Sequence, residues 1–175
     1  MGGRGGSGPA RRTGERVVGG REVGGRLADD LCMNQEGAGG VQQMYELDNQ
    51  CRCWIVAVME VPEDQISAYG VIAGEAMGDG LYRVDKMVEK PAAEDAPSNL
   101  AVIGRYILTP DIFDIIRNTP PGRNGEVQIT DALQTQAQNG CVIAYKFKGR
   151  RFDCGSVPGF VEATNFVYEN IYYDL

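Results

Sequence analysis

Three short stretches set charge at the end of an apolar, strand-like run: Asp29 and Asp30 after "RLA", Glu89 and Lys90 after "DKMV", and Asp153 after "RRF". In open α/β sheets, ligands collect beyond the ends of strands, so these are the places where side chains could do chemistry. Two separated aspartates, Asp29 and Asp153, suit a hard, oxygen-seeking cation such as magnesium. That ion takes one or two carboxylates and leaves its other positions to water and substrate phosphates. Lys90 adds a compact point charge for a further phosphate. The chain contains no histidine, which removes Ser-His and Cys-His nucleophilic catalysis and leaves carboxylates, lysines and backbone groups as the tools. Together the three strand ends spell a magnesium-dependent phosphate site. Singly, each acid is equally what a solvated loop charge or a helix cap looks like.

The elements that must position these residues follow from pattern. "CRCWIVAVMEV" has strong strand character and is closed by Pro62, with Cys51 and Cys53 expected on one strand face. "SAYGVIAGEAM" and "LYRVDKMVEK" flank the turn signal "GDG" and predict a hairpin that ends at Glu89 and Lys90. "LAVIGRYILT" is a further strand, after which Thr109 as N-cap and Pro110 at the first helical position open the helix "PDIFDIIRN". "ITDALQTQAQ" reads as a second helix, "CVIAYKFK" as a strand, and "RRFDCG" as a short strand or strand end. A weak helix over "GVQQMYELDNQ" precedes them. An amphipathic C-terminal helix carries Phe160, Ala163, Phe166, Val167 and Ile171 at helical spacing. Strands and helices interleave, so the class is α/β, with a mixed sheet because of the hairpin.

Composition narrows the rest. The 175 residues are about one domain's worth. The formal charge of −7 argues against a nucleic-acid partner. Residues 1–26 hold six arginines, two acids and ten glycines, so the body beyond them is more acidic still. That Gly/Arg-rich stretch has neither helical nor strand period and is expected to be a disordered leader. No apolar run approaches the roughly 20 residues of a membrane helix. Five cysteines without framework spacing read as reduced thiols, and the expected location is the cytoplasm.

The motifs "MVEKPAAEDAPSNLAVIGRYILTPDIF", "GEVQITDAL", "YKFKGRRFDCGSVPGFVEATNF" and "LADDLCMNQEG" together closely resemble the bacterial UTP–glucose-1-phosphate uridylyltransferases, the UDP-glucose pyrophosphorylases, over residues 27–172. The resemblance implies a Rossmann-like nucleotidyltransferase fold with a mixed, mostly parallel sheet. It implies that Asp29 and Asp153 hold the magnesium, with Asp30 a neighbour of the ligand. Glu89 would accept hydrogen bonds from glucose hydroxyls, Lys90 would contact the sugar phosphate, and Gly70 would let the backbone approach the sugar. Glu126 and Asp131 would stand behind the site. The implied reaction joins glucose 1-phosphate to UTP, giving UDP-glucose and pyrophosphate. Its phosphate nucleophile is already largely ionised at neutral pH, so it requires no general base.

The family's glycine-rich GxGTRxxP loop has no counterpart in residues 1–26. Residues 27–175 are therefore expected to form the sugar-phosphate-binding and C-terminal part of a nucleotidyltransferase domain truncated at its N-terminal, nucleotide-binding side. Three consequences are expected: impaired turnover, an exposed sheet edge, and self-association into a homo-oligomer. A catalytically silent sugar-phosphate or UDP-glucose binding module, or a subunit partner, is the alternative. A related pyrophosphorylase using dTTP is a third reading, which "FDCG" and "DDLC" count against; the choice of base is normally made in the part not matched.

Overall fold

"WIVAVME" forms β3 (Trp54–Glu60), whose first five residues are all buried. Trp54, Val56 and Val58 pack into one apolar cluster and Ile55 and Ala57 into another. A strand dry on both faces must lie inside a sheet covered from both sides. In this computed structural model, which describes residues 20–51, 53–120, 127–139 and 142–172, β3 is central.

Before β3 come β1 (Val23–Arg26), β2 (Asp30–Met33) and α1 (Gly40–Cys51). After it come β4 (Gly70–Gly78), β5 (Leu81–Glu89), β6 (Leu100–Leu108), α2 (Ile112–Asn118) and α3 (Ile129–Gln138). The chain continues through β7 (Val142–Lys146), β8 (Arg150–Asp153) and α4 (Val157–Val167), which runs into a π-helical segment over Tyr168–Tyr172. Six strands form one sheet in the order β1-β6-β3-β7-β5-β4, while β2 and β8 form a separate two-stranded ribbon. Residues of α2 and α3 pack into the cluster with Trp54, and Met44 of α1 packs into the cluster with Ile55.

The sheet is mixed, as the hairpin requires. The expectation of a mostly parallel sheet does not hold among the described residues: β3–β7 is parallel, and the other pairings are antiparallel. A parallel pair needs a long crossover, whereas β4 and β5 are joined by a tight turn. That turn places Asp79 and Gly80 at φ of 53° and 78°. Two successive positive φ values match the right-handed twist of the flanking strands.

Other expectations are corrected as well. Residues 20–26 belong to the stretch expected to be disordered, yet Val23–Arg26 pairs antiparallel with Arg105–Leu108 of β6; residues 1–19 lie outside the described residues. Cys51 and Cys53 do not share a strand face, because Cys51 ends α1 and β3 begins only at Trp54. Thr109 does not cap α2 with its side chain. Its hydroxyl instead accepts from the Trp54 indole N–H at 2.6 Å, because burying that ring requires a partner for its donor. The apolar stripe of α4 is covered only in part: Ala163 is buried and the Phe166 ring lies 5.0 Å from Phe152, but Phe160 is exposed. Among the described residues no helix is long and apolar enough to cross a membrane.

Candidate active site

β5 ends on Glu89, and the following residue, Lys90, has a φ of 46°. A side chain in this left-handed region is uncommon and costs energy, so the surroundings must hold it there. The Lys90 N–H donates to the Tyr69 carbonyl at 3.0 Å, and its Nζ lies 3.9 Å from Glu89 Oε1. Across the hairpin, Gly70 is the register partner of Glu89. A Cβ at Gly70 would stand 2.9 Å from Thr130 Cγ2 and 3.0 Å from Glu89 Oε2. Only glycine leaves backbone and carboxylate this close together.

The start of α3 closes this side of the cleft. Thr130 is 6% exposed, and its hydroxyl oxygen is the one buried side-chain polar atom without a hydrogen-bond partner among the described residues. Such a group costs about 1–3 kcal/mol in the free protein and is ready to bond a ligand.

The opposite side is built on the β2–β8 ribbon, where Asp30 faces Asp153. The Asp29 carbonyl accepts from the Cys154 N–H at 2.8 Å, which brings Asp29 beside the end of β8. Gly155 lies between the two exposed carboxylates: a Cβ there would stand 3.1 Å from Asp153 Oδ1 and 3.1 Å from Asp29 Oδ2. A side chain would fill this cradle, and glycine leaves it open. Two carboxylate oxygens facing one open space fit a hard divalent cation that draws its remaining ligands from water and phosphate. No group of three or more His, Cys, Asp or Glu that could hold a metal ion gathers among the described residues.

Asp30 has a different environment. It is buried and bonded to Arg151 by both an ion pair and a hydrogen bond. Burial pushes its carboxyl above the ordinary range, against the lowering effect of the Arg151 charge and hydrogen bond. Arg105, also buried, donates to the carbonyls of Leu27 and Asp30 and so ties the entry of β2 to β6.

All five expected site residues, Asp29, Gly70, Glu89, Lys90 and Asp153, line one cleft of about 420 Å³. Asp131 does not join them and lines a separate groove with Asp114 and Thr135. Glu126 lies outside the described residues. Tyr69, Thr130 and Arg151, which line the same cleft, escaped the sequence. Tyr69 stands directly before Gly70 in "AYGV", and that adjacency was the available signal. Thr130 in "ITDAL" and Arg151 in "RRF" carried none beyond their helix and strand patterns.

This mixed α/β architecture is that of a nucleotidyltransferase domain. The sequence profile of the nucleotidyl transferase family matches residues 4–170, and the chain belongs to that family. This match covers nearly all of the Gly/Arg-rich stretch, whereas the motif resemblance begins at residue 27. The UTP–glucose-1-phosphate uridylyltransferase of Pseudomonas aeruginosa is 61% identical over 167 residues, which are 95% of this chain and 60% of that protein. The corresponding enzyme of Streptococcus pneumoniae is 45% identical over 141 residues, 79% of this chain and 47% of its own. Among solved structures, an apo UDP-glucose pyrophosphorylase superposes with a TM-score of 0.92 at 52% identity, over 96% of this chain and 62% of the other. A UDP-glucose pyrophosphorylase complexed with UDP-glucose gives 0.90 at 53% identity, over 94% and 62%. The chain thus spans about 60% of the length of the P. aeruginosa relative it matches.

Proposed function

We propose that the cleft is the sugar-phosphate and metal side of a UTP–glucose-1-phosphate uridylyltransferase site. The observation that carries this is the convergence of Gly70, Glu89 and Lys90 with Asp29 and Asp153 in one cleft. The likeness to a pyrophosphorylase solved with UDP-glucose supports it. Gly70 lets the backbone approach the glucose ring, Glu89 accepts from its hydroxyls, and Lys90 holds the sugar phosphate. Enzymes of this class use a divalent metal, and Asp29 and Asp153 would hold magnesium, which when bound supplies charge that offsets the phosphates brought together. The phosphate of glucose 1-phosphate attacks the α-phosphorus of UTP in line and pyrophosphate leaves. The nucleophile is already ionised, so positioning and electrostatics are the whole of the protein's task, which suits a chain without histidine. We place the protein in the cytoplasm, in keeping with the free thiols of Cys32 and Cys154.

The test is calorimetric titration of the chain with UDP-glucose in magnesium, alongside Lys90→Ala. Binding that Lys90→Ala weakens at least about tenfold, near 1.4 kcal/mol, is the expected result. Indifference of the wild-type chain to millimolar UDP-glucose would remove the proposal. Because the chain spans about 60% of the P. aeruginosa relative, a second reading is kept: a binding module or subunit partner without turnover. Pyrophosphate release from UTP and glucose 1-phosphate, above the Lys90→Ala background, separates the two. In a chain that turns over, Lys90→Ala should cost about 2–4 kcal/mol of transition-state stabilisation, the scale of a lost preorganised charge contact.

A further inference from the structure

The two sides of the cleft stand on different sheets. Asp29 directly precedes and Asp153 ends a strand of the β2–β8 ribbon, whereas Gly70 and Glu89 belong to the β4–β5 hairpin of the six-stranded sheet. The Leu27 N–H to Gly104 carbonyl bond and Arg105 tie the entry of β2 to β6, but both act at β6, so a ligand that spans the cleft needs a further contact between the ribbon and the hairpin end.

Arg151 of β8 makes that connection. Its side chain is 10% exposed. On one edge, its Nε and Nη2 engage the Asp30 carboxylate, and Asp30 directly follows Asp29 and faces Asp153 in the ladder. On the other, its Nη1 donates to the Tyr69 hydroxyl at 2.9 Å, and the guanidinium carbon sits 5.1 Å from the centroid of the Tyr69 ring. Tyr69 directly precedes Gly70, and its carbonyl accepts from the Lys90 N–H. One planar cation is thus bonded to the strand start beside the metal-side carboxylates and to the residue that joins Gly70 to Lys90. A lysine could not make both contacts, because its ammonium is a point charge without a fork.

We propose that Arg151 is a positioning residue that couples the two aspartates to the sugar-side strand end, so that occupation of one half of the cleft is felt at the other. The identity of the ligands rests on the function proposed above; the coupling itself is a property of the Asp30–Arg151–Tyr69 contacts.

The experiment is a magnesium titration of the full chain followed by amide NMR, on wild type, Arg151→Lys and Tyr69→Phe. In wild type, the amides of Gly155 and Gly70 should shift together along one saturation curve. In both variants, Gly155 should still respond while the shift at Gly70 falls at least about twofold, because the contact that transmits it is gone. Tyr69→Phe keeps the ring and the ion pair and decides the matter if Arg151→Lys folds poorly. A wild-type Gly155 that ignores magnesium, a Gly70 that does not follow it, or variants in which Gly70 responds as before would each overturn the coupling.

Calorimetry with UDP-glucose adds a second readout. Arg151→Lys and Tyr69→Phe should each weaken binding about tenfold, with the double variant no weaker than either alone, since they delete one shared interaction. Additive losses would refute the shared contact. If wild type binds no UDP-glucose, the proposed function fails, and the magnesium titration alone decides the coupling.

Discussion

Asp30 and Asp153 face one another across the β2–β8 ladder, and this single pairing sets the register of the ribbon side of the cleft. A slip of one residue would turn every side chain of the ribbon to its other face. Asp30 would then lose its buried place beside Arg151, and Asp29 and Asp153 would no longer share the space over Gly155. The two adjacent aspartates of "ADDL" therefore divide their work by geometry: the exposed Asp29 is open to a cation, and the buried Asp30 is used up in holding the ribbon.

Asp29→Asn and Asp153→Asn should each weaken magnesium or manganese binding at least about tenfold, a change of about 1.4 kcal/mol. Both side chains are exposed, so denaturation midpoints should move by no more than about 0.5 kcal/mol. Asp30→Asn should show the reverse balance, with stability lost first, because it leaves the buried Arg151 without its counter-charge. Isothermal titration with the metal and urea melts on the three variants check this. Equal metal affinity in Asp29→Asn and wild type would exclude that carboxylate as a ligand.

Lys90 is held at a φ of 46°, a conformation that costs a residue with a side chain about 1–2 kcal/mol and glycine almost nothing. Glycine in turn loses about 0.5–1 kcal/mol through the freedom of its unfolded chain. Lys90→Gly should therefore leave stability unchanged or raise it by up to about 1.5 kcal/mol, while sugar-phosphate binding is lost with the charge. Lys90→Ala keeps the strain and loses the same charge, so the difference in melting between the two variants isolates the backbone effect. A Lys90→Gly chain clearly less stable than Lys90→Ala would show that the strain is not there.

Much of this architecture was legible because local chemistry and the global fold agree. "GDG" between two alternating runs could hardly be anything but a hairpin turn, and the hairpin delivers Glu89 and Lys90 to the cleft. Asp29, Gly70 and Asp153 were legible as family positions, and they do share that cleft. The strand at Val23–Arg26 was not legible, since "VGGR" has poor strand propensity; its pairing with β6 overrides that preference. The sheet's antiparallel balance was hidden for a similar reason, because strand direction depends on which strands become neighbours. Arg151 and Thr130 were invisible for a third reason. Their significance lies in polar contacts made or lacking: Arg151 bonds Asp30 and Tyr69, while the Thr130 hydroxyl has no partner among the described residues, and neither leaves a trace in spacing.

Thr130 supplies the sharpest contrast between stability and binding. Its hydroxyl is buried without a partner among the described residues, and its methyl lies against Gly70, where a Cβ would come within 2.9 Å. Valine has the same shape and no hydroxyl, so Thr130→Val removes a desolvation penalty of about 1–3 kcal/mol while leaving the packing intact. The variant should unfold at higher urea concentration, with a gain of about 1 kcal/mol. If a sugar hydroxyl satisfies that oxygen in the complex, the same variant should bind UDP-glucose more weakly by about 1 kcal/mol, since the ligand group then meets a methyl. Urea melts and calorimetric titration on one preparation read both effects. A destabilised Thr130→Val would mean that the hydroxyl already has a partner in the free protein, and unchanged UDP-glucose affinity would mean that it faces no polar group of the sugar.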